Sequence, residues 1–103
     1  MKVFIPVVSK DKSSKLSEVF GRSEFFAIYD TETKNTEYID NGSAQGARGV
    51  GVSVGQLAIN SGVSKVVTRK LGPNAVNALE SGNIEVVIQE NTDKTLEEII
   101  QSL

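Results

Sequence analysis

The sequence has 103 residues, 39% of them apolar and 23% charged, with a net charge of −2 at pH 7. That composition supports one ordinary core, so residues 1–103 read as a single domain. It carries neither the basic excess expected of a nucleic-acid binder nor an acidic block typical of a disordered tail. Cysteine and histidine are both absent. This rules out disulfides, Cys-zinc sites, thiolate-bound clusters, cysteine nucleophiles and imidazole general bases. Only oxygen ligands and the sulfur of Met1 remain, so no tight zinc, copper or iron site is expected from side chains.

Val3 to Val8 is a continuous apolar run, the pattern of a strand buried on both faces. Pro6 sits inside it against expectation, because proline cannot donate to a ladder and prefers edges or bulges. The run is too short for a signal peptide core or a membrane span, which predicts a cytoplasmic protein without a membrane partner. Residues 9–15 are polar and read as a loop. Phe25 to Tyr29 and Glu37 to Asp40 are short aromatic or β-branched runs around the polar stretch 30–35, and predict an antiparallel hairpin.

Residues 41–55 are rich in glycine, at positions 42, 46, 49, 51 and 55. Val50, Val52 and Val54 alternate as in a strand, yet Val50, Val54, Leu57, Ala58 and Ser61 also fall at helical spacing. A glycine-rich loop leading into a helix is the favoured reading, with Gly62 as its C-terminal stop. Ser64 to Thr68 then forms a short buried strand. Gly72-Pro73-Asn74 opens a helix with proline where a missing N–H costs nothing, Ala75, Val76 and Leu79 form its buried face, and Gly82 ends it. Ile84 to Ile88 repeats the strand pattern. Thr95 to Glu98 is a capping box ahead of the apolar stripe Leu96, Ile99, Ile100 and Leu103. Strands alternating with helices imply parallel pairing in the second half, so the chain predicts a mixed five-stranded α/β sheet, with an N-terminal antiparallel hairpin, flanked by helices.

Two stretches have the chemistry of an anion site. Successive backbone N–H groups around Gly46, Gly49 and Gly51 create positive potential, and Arg48 adds a bidentate donor. Alternatively, these glycines merely relieve steric limits in a loop. Arg69, Lys70, Gly72 and Asn74 lie where a strand passes into a helix, and ligands of open α/β sheets bind at such carboxyl ends, here between the first strand and the Val66 strand. The competing reading is a helix start with two solvated charges. Phe20-Gly21-Arg22 reads first as a turn anchored by Phe20, with Arg22 either paired to Glu24 or directed at the ligand. A two-metal nuclease needs three or four converging carboxylates, and Val3 to Val8 supplies none. No catalytic residue is assigned.

Phe20-Gly21-Arg22-Ser23-Glu24-Phe25-Phe26, a Phe-Gly-Arg followed by an aromatic strand, the glycine-rich segment Asn41 to Leu57, and Leu71-Gly72-Pro73-Asn74-Ala75 with Gly82-Asn83-Ile84 behind it resemble the dinitrogenase iron–molybdenum cofactor biosynthesis family of NifX-like proteins and NifB C-terminal domains. The resemblance implies a ribonuclease H-like three-layer α/β/α fold. It also implies a carrier of an anionic iron/molybdenum–sulfur cofactor or precursor, bound non-covalently, with cluster-assembly proteins as partners. On this resemblance Asn41 joins the candidate residues. Family members often place histidines before the Phe-Gly pair and in the glycine-rich loop; Val19 and the stretch 45–48 stand there instead. Direct metal ligation is therefore not expected, and a protein-interaction or regulatory module that has lost cofactor binding is the alternative.

Overall fold

The structure, a computed structural model, describes residues 1–18, 20, 23–40, 57–90 and 94–103. Five strands, β1 (Lys2–Val7), β2 (Phe25–Asp30), β3 (Thr36–Asp40), β4 (Lys65–Thr68) and β5 (Glu85–Ile88), form one sheet in the order β3-β2-β1-β4-β5. β1 pairs antiparallel with β2, and β2 with β3; β1 pairs parallel with β4, and β4 with β5. The mixed five-stranded α/β sheet is as the hydropathy pattern predicts.

β1 is central, and its alternating side chains build a core on each face. Phe4 points to one side, where it packs with Phe20, Phe26, Ile28 and Val66 against the helical turn 57–60 (α1) and the helix Pro73–Ser81 (α2). The ring centroids of Phe4 and Phe26 lie 4.8 Å apart, and those of Phe4 and Phe20 5.9 Å apart. Val3, Ile5 and Val7 point the other way, onto Leu16, Ala27, Val67 and the helix Leu96–Gln101 (α3). α1 and α2 thus cover one face and α3 the other. Val8 departs from the predicted strand: it lies beyond β1 and is 49% exposed.

The place of Pro6 follows from the backbone groups around it. Lys2 O accepts from Ser64 N, Pro6 O accepts from Ser17 N, and Val8 N donates to Lys15 O. The even-numbered residues therefore turn their backbone groups away from β2, toward β4 and the returning chain. Register with β4 stops at Phe4↔Val66, and the next bridge on that side is Val7↔Leu16. Pro6 stands between the two partners, where no donor is required. A proline is tolerated in a central strand because the strand changes neighbours there.

Both helix ends marked by glycine are confirmed, for different reasons. Gly62, after α1, has φ +74 and needs the left-handed freedom of glycine. Gly82 caps α2 at φ −88, and the left-handed residue is Asn83, at φ 61. What Gly82 supplies is space: a Cβ there would lie 2.8 Å from Ile59 Cγ1. Gly82→Ala should cost about 1–3 kcal/mol by overpacking. Ile59→Ala in the same chain should absorb much of that increment, seen as non-additivity in urea unfolding midpoints.

Candidate functional site

The loop leaving β1 is held by its own hydroxyls and by α3. The Ser14 hydroxyl, buried, accepts from Val8 N and Ser9 N, both at 3.1 Å, and donates to Lys15 O at 2.9 Å. Asp11 Oδ1 accepts from Ser13 N at 2.7 Å and Ser13 Oγ at 2.6 Å. The Ser13 hydroxyl, then the Ser13 N–H, hold the Asp11 carboxyl below its ordinary value of 3.8. The first amides of α3 are taken up by the same loop: Leu96 N donates to Ser14 O at 2.8 Å and Glu97 N to Lys12 O at 2.9 Å. The predicted capping box is present, with Thr95 N donating to Glu98 Oε1 and Glu98 N to Thr95 Oγ1. With those amides engaged, the N-terminus of α3 braces the loop and is not an anion site.

The start of β2 is tied to the end of β1. Ser23 is fully buried, and its hydroxyl proton is shared between Val7 O at 2.9 Å and Phe25 O at 2.6 Å. Lys10 Nζ reaches Asp40 Oδ1 at 2.8 Å and lies 5.2 Å from the centre of the Phe25 ring, linking the loop to the end of β3. Register pairs Val7↔Phe25 and Phe25↔Asp40 put the end of β1, the start of β2 and the end of β3 at one edge of the sheet.

At that edge, where β1 and β4 cease to pair, an open cleft of about 480 Å³ is lined by Val8, Lys15, Leu16, Ser17, Glu18, Glu24 and Arg69. Arg69 follows the fully buried Thr68 at the end of β4 and is half-buried. It forms no ion pair with any described residue. Three residues on, Gly72 stands as the N-cap of α2, with extended backbone and no side-chain cap to offer. Val76 N donates to Gly72 O at 3.0 Å. The first turn of α2 contains no acidic residue, and the Asn74 and Ala75 N–H groups find no acceptor among the described residues. This connection therefore presents a guanidinium and two outward amides, all positive.

Of the residues expected at a site, Arg69 lines the cleft. Lys70, Gly72 and Asn74 are exposed on the same connection but do not line it, so the helix start stands beside the cleft and not in its wall. Arg22, Asn41, Gly46, Arg48, Gly49 and Gly51 lie outside the described residues. Lys15, Ser17, Glu18 and Glu24 were not identified from sequence as site residues. The carboxyl-end rule pointed to the loop after the first strand, but only the fold-back that bridges Val7 to Leu16 brings residues 15–18 to the cleft. Among the described residues no three carboxylates gather as a metal site would require, and no helix is long and apolar enough to cross a membrane.

Two measurements test this framework. Ser13→Ala should return the Asp11 titration toward 3.8 in an NMR pH series. Because its folded value is lowered, the stabilisation from Asp11 is present above 3.8 and is lost as pH falls through the lowered value. Ser14→Ala should cost about 1 kcal/mol by leaving the Ser9 amide without its acceptor and Val8 N with Lys15 O alone, and speed hydrogen exchange most at Ser9.

The whole chain, residues 1–103, matches the family described as dinitrogenase iron-molybdenum cofactor. An uncharacterized protein of Methanocaldococcus jannaschii is 34% identical over 89 residues, covering 84% of this chain and 72% of that protein. Among solved structures, the apo form of the orange protein from Desulfovibrio gigas superposes with a TM-score of 0.90 at 28% identity, covering 97% of this chain and 83% of that one. A candidate NifB protein from Thermotoga, assigned to the DUF35 family, superposes with a TM-score of 0.82 at 38% identity, covering 98% and 84% respectively.

Proposed function

The chain belongs to the dinitrogenase iron-molybdenum cofactor family, and from that premise we propose that it is a small, non-catalytic binding protein for an anionic ligand. The family is a cofactor-associated one, which supports a binding or carrier role over turnover. The observation that carries the reading is Arg69: a guanidinium half-buried in a cleft between two diverging strands, without a described carboxylate partner. Such a group is stabilised by an incoming anion that accepts its paired N–H donors. The uncapped amides at Asn74 and Ala75, with Lys70 beside them, extend the same positive potential. In this reading Arg22, Asn41, Arg48 and the amides around Gly46, Gly49 and Gly51 contribute the remaining contacts.

The cargo the family suggests is an iron/molybdenum–sulfur cofactor or its precursor. With no cysteine or histidine in the sequence, and no carboxylate trio among the described residues, the donor set does not fit direct ligation of such metals. It fits capture from outside, by guanidinium and amide groups hydrogen-bonding to a metal–sulfur anion already assembled. The ribonuclease H-like layering, single-domain organisation, cytoplasmic location and exchange of cargo with cluster-assembly proteins belong to the same proposal. The absent imidazole and thiolate also favour a second reading, a protein-interaction or regulatory module that has kept the fold and lost the cargo.

Anaerobic titration with tetrathiomolybdate distinguishes the two. Saturable binding to the native chain, weakened by a factor of about 100 or more in the Arg48→Ala/Arg69→Ala double variant, is the expected result, since each charge-assisted pair is worth roughly 1.5–3 kcal/mol. Equal binding by the double variant removes the mechanism. Colourless, metal-free protein that ignores the anion supports the interaction module.

A further inference from the structure

The cleft is not simply basic. Lys15 and Arg69 bring two positive charges to it, and Glu18 and Glu24 bring two negative ones. None of Arg69, Glu18 and Glu24 forms an ion pair with a described residue. The charges of Arg69, Glu18 and Glu24 thus remain available to a ligand. Val8, 49% exposed, and Leu16 add apolar wall to the same space.

A simple anion entering this open cleft gains Arg69 but is repelled by the two carboxylates that line it, an interaction felt most at low salt. A ligand that carries a cationic or proton-donating group beside its anionic one turns both carboxylates from repulsive to attractive, and a short carbon spacer suits the apolar wall. We infer that Glu18 and Glu24 are specificity determinants of this site, selecting small ligands that pair an anionic group for Arg69 with an ammonium or guanidinium group for the carboxylates. This rests on the anion-binding reading and narrows it: the carboxylates act as the repulsive element that discriminates against bare anions.

Ethyl phosphate and phosphoethanolamine share a phosphate and a two-carbon chain and differ in the ammonium, so calorimetric titration of both at low salt isolates the effect. The full native chain should bind phosphoethanolamine more tightly by a factor of about ten, the scale of one new charge pair. Glu18→Gln/Glu24→Gln should erase that preference and strengthen ethyl phosphate binding, while Arg69→Ala should weaken both. Glu18 and Glu24 are exposed, and an unchanged thermal transition verifies that the double variant is folded. Equal affinity of the native chain for the two probes overturns the inference, as does a preference that survives in the double variant. Failure of both probes overturns it too. If tetrathiomolybdate then still binds and depends on Arg48 and Arg69, the anion-binding reading stands without it; if that anion also fails, both fall.

Discussion

The carboxyl end of the sheet depends on how β1 distributes its backbone groups between two sides. Toward β2 it is paired along its whole length, from Lys2↔Asp30 to Val7↔Phe25. Toward β4 it is paired only as far as Phe4, after which Leu16 and Ser17 of its own returning loop take over. Pro6 lies at the exchange, and its missing N–H makes that position unable to hold a continuous ladder. The cleft between the two strands, and the placement of Lys15 to Glu18 on its wall, follow from that single break.

Around the break the structure is heavily braced. Three phenylalanines, Phe4, Phe20 and Phe26, lock the strand pair beneath α1 and α2. Ser14 and Ser23, both buried, give their hydroxyls to backbone groups at the ends of β1 and β2. α3 directs its first amides into the loop after β1, to Ser14 O and Lys12 O. The result is a braced rim in which Arg69 forms no ion pair with a described residue.

The chemistry of the rim agrees with the composition. A protein without imidazole or thiolate can discriminate ligands by charge, hydrogen-bond geometry and shape, and has no strong means of ligating a soft metal. Arginine, backbone amides and two opposed glutamates are the tools that remain. Membership of a cofactor-associated family accords with a binding or carrier role, and the chain shares its fold with the apo orange protein.

Much of the architecture was legible in the chain itself. Alternating and continuous apolar runs located the five strands to within a residue or two, because period-two burial leaves a direct trace in sequence. Thr95 to Glu98 and Gly72-Pro73 marked helix starts by local hydrogen-bonding rules, which need no tertiary context. Gly62 was correctly read as a conformational stop, whereas Gly82 was read correctly as an end but exists for the sake of Ile59, a neighbour 23 positions away in sequence. The candidate site was legible only in part. Arg69 could be singled out because it directly follows a parallel strand, but Lys15, Ser17, Glu18 and Glu24 reach the cleft through an antiparallel fold-back onto β1. Local pattern encodes which residues are strand, helix or turn; long-range pairing alone decided why a proline can sit in the central strand, and which charges share a cleft.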